Sequence, residues 1–170
     1  YSKISRELKD LKGALVECGV AGGTSLLLLA SFNRHREIYG FDSFDGLPEP
    51  SKKDFSFFSK VKPARGLMRV DYDQVKTMFD DSGVKVDLIK GFLKDSLPSF
   101  NQPIAILNID VDIYQSYLDV LNNLYSLVVE GGIVMFDEYK DKNWPGATKA
   151  IREFGIEPIK GPGGIWYVIK

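Results

Sequence analysis

Two apolar runs that each end in acidic residues constrain the fold of this chain more than any other feature. The runs occupy residues 104–109 and 131–136, and the residues between them carry apolar side chains at helical spacing. Short runs rich in Val and Ile are typical of buried parallel strands. The acidic residues that close them are Asp110 and Asp112 after the first run, and Asp137 and Glu138 after the second. Strand, helix and strand form a βαβ unit, so both acidic groups are expected at the same carboxyl edge of one sheet.

The rest of the chain continues the alternation of strand and helix. Strands are predicted at 14–18, 37–41, 84–89, 104–109, 131–136, 157–160 and 165–169. Helices are predicted at 5–12, 24–34, 70–81, 114–130 and 144–154. This order predicts an α/β fold with a doubly wound, mostly parallel sheet and a C-terminal antiparallel hairpin. The 170 residues are expected to form a single domain, residues 1–170, in which residues 46–66 are a candidate lid or substrate loop.

Charge and hydropathy exclude some partners. The formal net charge of −1 provides no general attraction to nucleic acid or to anionic membranes. The longest nearly apolar run, residues 26–32, is far too short for a membrane span. The single cysteine, Cys18, cannot form an internal disulfide, which fits a cytoplasmic location. We therefore expect no nucleic-acid or membrane partner, and a homo-oligomer remains open.

Ligands of doubly wound sheets bind beyond the carboxyl ends of the strands, where three further features are expected. The turn Gly19–Gly23 lets the backbone approach a ligand closely, although its spacing differs from the dinucleotide-binding pattern. Asp42 ends the second strand, where a carboxylate can accept both hydroxyls of a ribose. The segment 91–95 follows the third strand and is suited to pack against a purine ring. Each feature also has a structural alternative: a tight turn, a capping carboxylate or a plain loop.

The acidic residues themselves favour a cation. Two bare carboxylates about 5 Å apart repel by about 3 kcal/mol at an effective dielectric constant of 20. A hard cation such as Mg²⁺ or a shared proton would relieve this repulsion, whereas solvated acids at strand ends are the alternative. Asp110 and Asp112 would point to the same side of an extended strand, so Asp112 is the candidate general base.

Other reactive or apolar side chains are expected to be structural. His35 lies in a charged segment and is expected to face solvent, and Cys18 is expected to be buried. Phe55, Phe57 and Phe58 have two possible places, a substrate lid or the core.

Six motifs between residues 14 and 154 are specific when they are taken together in this order. They are Val16-Glu17-Cys18-Gly19-Val20-x-x-Gly23-x-Ser25, Tyr39-Gly40-Phe41-Asp42-Ser43-Phe44-x-Gly46-Leu47-Pro48, Gly91-Phe92-x-x-Asp95-x-Leu97-Pro98, Asp110-x-Asp112-x-Tyr114, Leu124-Tyr125-x-x-Val128-x-x-Gly131-Gly132 and Asp137-Glu138-Tyr139. The chain resembles the macrocin O-methyltransferase family of class I S-adenosylmethionine-dependent methyltransferases, which methylate sugar hydroxyls of antibiotics and related products. The family usually has Asp-Asp-Tyr where this chain has Asp137-Glu138-Tyr139.

The resemblance implies a Rossmann-like methyltransferase fold, S-adenosyl-L-methionine as cofactor, Mg²⁺, and a small-molecule acceptor with hydroxyl groups. The cofactor residues it implies are Glu17, Gly19, Val20, Gly23, Thr24 and Ser25 for the methionine part, Asp42 and Ser43 for the ribose, Phe92 and Asp95 for the adenine, and Asp110. The metal ligands it implies are Asp110, Asp137 and Glu138, and it implies that Asp112 is the catalytic base.

The sequence therefore predicts a Mg²⁺-assisted O-methyltransferase that acts on a hydroxyl of a sugar or another small polyhydroxylated molecule. A metal-dependent sugar-nucleotide transferase is one alternative, because Asp110-x-Asp112 also resembles a DxD metal motif. A non-catalytic S-adenosylmethionine-binding module is another. It agrees with the dozen or so residues before the first strand, where relatives carry additional helices.

Overall fold

The computed structural model describes residues 2–170, except for the side chain of Pro162, and its strands form one mixed sheet. The strands are β1 Ala14–Cys18, β2 Ile38–Asp42, β3 Asp87–Lys90, β4 Ile104–Ile109, β5 Val128–Phe136, β6 Ile159–Lys160 and β7 Trp166–Ile169. Their order within residues 2–170 is β3-β2-β1-β4-β5-β7-β6. The first five strands are parallel, whereas β7 pairs antiparallel with both β5 and β6. The predicted doubly wound sheet with a C-terminal antiparallel hairpin is confirmed.

Helices cover both faces of this sheet. They are α1 Ser2–Glu7, α2 Thr24–Ser31, α3 Tyr72–Ser82, α4 Leu93–Ser96, α5 Tyr114–Leu124 and α6 Pro145–Glu153, with short 3₁₀ turns at Lys52–Asp54, Leu97–Ser99, Tyr125–Leu127 and Pro162–Gly164. Among residues 2–170, no helix combines the length and the apolar character of a membrane-spanning segment.

The two faces of the sheet bury separate apolar clusters. One face places Val16 and Leu107 against Tyr117 of α5 and Ile151 of α6. The other face packs Leu15, Ile106 and Met135 against Leu26 of α2 and Phe79 of α3. Because β1 and β4 are buried on both faces, their sequences are apolar at every position except Glu17 and Asn108 instead of alternating.

Some predicted boundaries were wrong, most clearly between α5 and β5. The helix predicted over residues 114–130 ends at Leu124, and β5 already begins at Val128, which pairs with Ile104. A register shift in that pairing, with Gly131 at φ 78°, accommodates the early start of the strand. Hydrogen bonding to β4 thus overrides the helical spacing of these residues. The first helix covers residues 2–7 instead of 5–12, and the third strand covers 87–90 instead of 84–89.

The segment 46–66 crosses the carboxyl edge of the sheet with a single 3₁₀ turn at Lys52–Asp54. Phe55, Phe57 and Phe58 are 51%, 97% and 79% exposed, so these rings do not pack in the core. The buried residue of this turn is instead Asp54. Cys18 is buried and His35 is exposed, as expected.

Candidate functional site

The carboxyl ends of the parallel strands open onto a cavity of about 790 Å³. This volume lies within the range of roughly 300–1,000 Å³ that is usual for small-molecule sites. Twelve of the predicted site residues line it: Gly19, Val20, Gly23, Thr24, Ser25, Asp42, Ser43, Phe92, Asp110, Asp112, Asp137 and Glu138. The glycine turn, the carboxylate after β2, the segment after β3 and the acidic residues after β4 and β5 therefore share one cavity.

Backbone packing brings the glycine turn against the acidic end of β4. Gly19 has φ +89°, and a Cβ built on it would lie 1.6 Å from the backbone oxygen of Asp110. Its own N–H donates to the carbonyl oxygen of Phe41 in β2, at 2.8 Å. Only glycine fits this position, both because of its left-handed backbone and because a side chain would collide with β4.

Glu17 occupies a different place from the one predicted. It is fully buried and does not line the cavity. One carboxyl oxygen accepts from the Ser25 hydroxyl at 2.8 Å, and the other accepts from the Asn108 side-chain amide at 2.9 Å. Burial raises the pKa of Glu17 to about 8. Glu17 therefore supports the cavity wall from behind and reaches the cavity through Ser25, and the cofactor contact that the resemblance implies for it stays a prediction.

Asp42 faces the cavity with its oxygens partly occupied by backbone donors. The Ala21 N–H donates to Oδ2 at 2.8 Å, and the Phe44 N–H donates to Oδ1 at 2.6 Å. Each carboxylate oxygen can accept a further hydrogen bond, which suits a pair of neighbouring hydroxyls. The same side chain thus holds the glycine turn in place and offers acceptors to a ligand.

Only part of the segment predicted to border the adenine, residues 91–95, lines the cavity. Phe92, Leu93 and Lys94 line the cavity, whereas Asp95 is exposed and does not line it. Residues 92–94 are therefore the part of this segment that can contact a ligand, and Phe92 supplies its aromatic ring.

Three carboxylates converge after β4 and β5. Asp110, Asp112 and Glu138 each offer an oxygen, and these oxygens lie within 4.8 Å of one another. Glu138 is 2% exposed and accepts a hydrogen bond from the hydroxyl of Tyr117. Burial raises the pKa of all three groups, and repulsion from neighbouring carboxylates raises it further, whereas a hydrogen bond with Glu138 lowers the pKa of Asp110. A buried set of oxygen ligands with surplus negative charge fits a hard divalent cation such as Mg²⁺.

Asp137 lines the same cavity but is exposed and stands outside this set of three. Its charge contributes to the raised pKa of Asp110 and Asp112. The three carboxylates that lie close enough to share a cation are therefore Asp110, Asp112 and Glu138. Two of them are predicted ligands, and Asp112 takes the place at which Asp137 was expected.

The turn at Asp112 explains this difference. Asp112 follows the end of β4 and has φ +62°, a left-handed backbone that is uncommon outside glycine. The alternation of side chains along an extended strand, from which Asp110 and Asp112 were expected to face the same way, does not describe this turn. Both side chains nevertheless line the cavity, and burial raises the pKa of Asp112 to about 7.

Several lining residues were missed by the sequence analysis. They include Met68, Gln115, Ser116, Asp119, Asp141 and Trp144. Gln115 and Ser116 directly follow the Asp110-x-Asp112 motif at the start of α5, so their position in the sequence was a usable signal. Met68 belongs to a long irregular segment whose path no local pattern defines.

Comparison with known proteins agrees with this arrangement. The family model of macrocin O-methyltransferase (TylF) matches residues 3–159. The chain is 32% identical over 170 residues to the 8-demethyl-8-(2,3-dimethoxy-alpha-L-rhamnosyl)-tetracenomycin-C 4'-O-methyltransferase of Streptomyces olivaceus, covering 91% of this chain and 65% of that protein. It is 31% identical over 141 residues to the demethyldecarbamoylnovobiocin O-methyltransferase of Streptomyces niveus, covering 76% of this chain and 54% of that protein. The chain thus spans between half and two thirds of the length of these relatives.

Solved structures show the same fold over nearly the whole chain. The O-methyltransferase NovP superposes with a TM-score of 0.85 at 26% identity, covering 99% of this chain and 77% of that one. The calicheamicin methyltransferase CalS11 superposes with a TM-score of 0.84 at 25% identity, covering 98% of this chain and 76% of that one. Because the family model matches most of its residues and a relative 32% identical covers 91% of it, this chain belongs to the macrocin O-methyltransferase family.

Proposed function

We propose that this chain is an S-adenosylmethionine-dependent, Mg²⁺-assisted O-methyltransferase that acts on a hydroxyl of a sugar or another small polyhydroxylated molecule. One observation carries the proposal: a ribose-suited carboxylate, a glycine turn and a buried acidic cluster line a single cavity of about 790 Å³. The relatives from Streptomyces olivaceus and Streptomyces niveus, whose names specify O-methylation, support the reaction class.

The cofactor would occupy the part of the cavity formed after β1, β2 and β3. Backbone groups of the turn 19–25 would contact its methionine part, Asp42 would accept the ribose hydroxyls, and the ring of Phe92 would cover the adenine. S-adenosylmethionine supplies a methyl group that is already activated by its sulfonium, so the protein contributes mainly position.

Asp110 and Glu138 would hold the cation, with Asp137 as the further protein ligand, so that Asp112 is free to act as the base. These residues fit it because their oxygens are the ligand type that Mg²⁺ prefers and because burial leaves their charges unbalanced. When bound, Mg²⁺ would orient two neighbouring hydroxyls of the acceptor and make them easier to deprotonate.

Asp112 is the side chain best placed to take the proton. It is 9% exposed, it lines the cavity, and its pKa of about 7 suits a general base near neutral pH. In the proposed step the proton of the acceptor hydroxyl passes to Asp112 while the oxygen attacks the methyl carbon. The new C–O bond forms as the C–S bond breaks, and S-adenosylhomocysteine leaves.

The segment 46–66 is proposed as the lid of this cavity. Leu47 and Arg65, near its two ends, both line the cavity. The Leu47 N–H donates to the carbonyl oxygen of Leu67 at 2.8 Å, and the Gly66 N–H donates to that of Leu47 at 2.9 Å. A sugar-nucleotide transferase would use the acidic cluster but would leave the glycine turn and Asp42 without a ligand.

Calorimetry and methyl transfer test the proposal together. S-adenosylhomocysteine, NAD and a UDP-sugar are titrated with and without Mg²⁺, and transfer from labelled S-adenosylmethionine is measured on rhamnosides and other glycosides with neighbouring hydroxyls. We expect S-adenosylhomocysteine alone to bind tightly, and Asp112→Asn to lower kcat about 10²- to 10⁴-fold. Asp110→Asn should abolish Mg²⁺ stimulation while changing S-adenosylhomocysteine affinity less than about threefold.

Exposed Asp71, at the start of α3, provides the matched control, since Asp71→Asn removes a carboxylate outside the cavity. Binding of the UDP-sugar without S-adenosylhomocysteine would establish the transferase alternative. Tight S-adenosylhomocysteine binding without transfer to any acceptor would indicate a binding module. Full activity in the presence of a chelator would remove the metal from the mechanism.

A further inference from the structure

Asp54 places a buried carboxylate at the beginning of α5, next to the candidate base. The side chain is 1% exposed although it belongs to the irregular segment 46–66. Its Oδ1 accepts the backbone N–H of Tyr114 at 2.6 Å. Its Oδ2 accepts the N–H and the hydroxyl of Ser51, at 2.7 and 2.8 Å. Both oxygens are therefore engaged, one by the loop and one by the helix.

The beginning of α6 is shaped to admit this carboxylate. A Cβ at Gly146 would lie 1.9 Å from Oδ1 of Asp54 and 2.9 Å from the backbone nitrogen of Tyr114. Gly146 is therefore the residue that leaves room for Asp54 between the N-terminal ends of α5 and α6. Both helix ends carry partial positive charge, which stabilises a carboxylate placed between them.

Helix α5 depends on Asp54 because its own N-cap position cannot supply an acceptor. That position is held by Ile113, whose side chain carries no hydrogen-bonding group. Residues before a helix usually provide such an acceptor from Ser, Thr, Asp or Asn, and its loss costs about 1 kcal/mol. Here the acceptor comes from 60 residues earlier in the chain.

The turn that Asp54 secures is the one that directs Asp112 into the cavity. Asp112 lies two residues before Tyr114 and has φ +62°, a conformation that costs about 1–2 kcal/mol for a residue with a side chain. Within the turn the Ile113 N–H donates to the Val111 carbonyl oxygen at 2.6 Å. A strained turn keeps its shape only when its surroundings fix both of its ends. The end of β4 fixes one end, and Asp54 fixes the other through Tyr114.

We propose that Asp54 is a positioning residue for Asp112, an inference that rests on the proposed function. By holding the first N–H of α5, its carboxylate fixes the turn that presents Asp112 and, with it, the cavity-lining Gln115 and Ser116. Asp54 does not itself line the cavity, yet it connects the segment 46–66 to the turn that carries the candidate base.

Exposed contacts around Asp54 also join the segment 46–66 to α5 and α6, but they do not replace the hydrogen bond from Tyr114 to Asp54. The Lys53 ammonium donates to the carboxylate of Glu153 at 3.0 Å and lies 3.8 Å from the ring centre of Tyr114. The Lys149 ammonium donates to the backbone oxygen of Lys53 at 2.9 Å. Ion pairs in such exposed positions contribute little, so the buried hydrogen bond to Asp54 is the decisive contact.

The experiment compares Asp54→Ala and Asp54→Asn with the wild-type chain. Alanine removes every acceptor, whereas asparagine keeps one oxygen for Tyr114 and loses an acceptor for Ser51. We expect Asp54→Ala to lower kcat about 10- to 100-fold, as a misplaced reacting group does. Asp54→Asn should recover part of this loss, and the KM for S-adenosylmethionine and the affinity for S-adenosylhomocysteine should stay within about twofold in both.

A second measurement does not depend on activity. Amide hydrogen exchange in peptides covering residues 111–117 should become faster in both variants, without ligand, than in the wild type. The control is Asp71→Ala, which removes the acceptor for the Gln74 N–H at the start of α3, 3.1 Å away. We expect it to lower stability without changing kcat or exchange in residues 111–117. If Asp54→Ala does not fold, Asp54→Asn alone carries both measurements.

Three results would overturn the positioning role. They are a folded Asp54 variant with wild-type kcat, unchanged exchange over residues 111–117, and a kcat loss that is matched in Asp71→Ala. A wild-type chain that transfers no methyl group would contradict the proposed function instead. In that case the exchange measurement still decides whether Asp54 secures the turn.

Discussion

Replacing Glu17 by glutamine tests whether a buried carboxyl group makes this fold less stable at higher pH. Glu17 is fully buried behind the cavity, and its two oxygens accept from Ser25 and Asn108. Burial is the main cause of its raised pKa. Glutamine has the same size, cannot ionise, and can bond both neighbours if the Asn108 amide turns over.

The sign and the size of the pH effect on stability follow from the linkage between proton binding and folding. Because the pKa of Glu17 rises from 4.5 to about 8 on folding, the folded chain retains a proton that the unfolded chain releases in this range. The stabilising contribution is therefore complete below about pH 4.5 and is lost as the pH rises to about 8. At about 1.4 kcal/mol for each unit of pKa, the loss is about 5 kcal/mol.

Urea denaturation across this pH range, in the presence of a chelator, measures the effect. We expect the free energy of unfolding of the wild type to fall more steeply with pH than that of Glu17→Gln, so that the variant is the more stable protein at about pH 8. The acidic cluster contributes a slope of the same sign, but it is common to both proteins and cancels in the difference. The control is Glu130→Gln, because Glu130 is exposed and its replacement removes no buried carboxyl. Parallel curves for the wild type and Glu17→Gln would refute the reasoning.

Three further predictions concern the walls of the cavity. Gly19→Ala should lower the free energy of unfolding by about 2–5 kcal/mol in thermal or urea denaturation, because its Cβ would lie 1.6 Å from the Asp110 oxygen at φ +89°. Gly22→Ala, with no atom within 4 Å of its Cβ, is the matched control, and equal effects would contradict the packing argument. Asp42→Asn should weaken S-adenosylhomocysteine binding by at least about tenfold in calorimetry, because it replaces one of two acceptor oxygens by an amide donor, and unchanged affinity would exclude Asp42 from the ribose site. Mg²⁺ should bind more tightly at about pH 8 than at about pH 6, since binding displaces protons from carboxylates whose pKa is raised, and equal affinities would contradict a site at Asp110 and Glu138.

The central part of the fold was predictable because its signals are local. Residues 104–109 and the end of β5 are apolar runs whose strand character needs no knowledge of neighbours, and the acidic residues directly follow them. The start of β5 was not predictable in this way. Val128 continues the helical spacing of the preceding residues, and only its pairing with Ile104 makes it part of a strand.

In the candidate site, too, the residues with local sequence signals were predictable and those that depend on distant contacts were not. The residues after β1, β2, β4 and β5 were predicted from their place at strand ends, and they do line the cavity. The left-handed turn at Asp112 and the burial of Glu17 were not predictable, because both depend on residues distant in the chain. The contact from Asp54 to Tyr114 is of this kind, since nothing in the sequence near either residue indicates the other.

Two contacts between β1 and β4 argue that the cofactor side and the acidic side of the cavity form one rigid unit. The first is the close approach of Gly19 to the backbone oxygen of Asp110, and the second is the chain of hydrogen bonds from Ser25 through Glu17 to Asn108. Methyl transfer requires the donor carbon and the acceptor oxygen about 3–3.5 Å apart, a tolerance that independent loops would not maintain. The distance between the two sides is therefore set by the pairing of the central strands. In the proposed mechanism the segment 46–66 would then control access to the cavity and, through Asp54, the direction of a single turn.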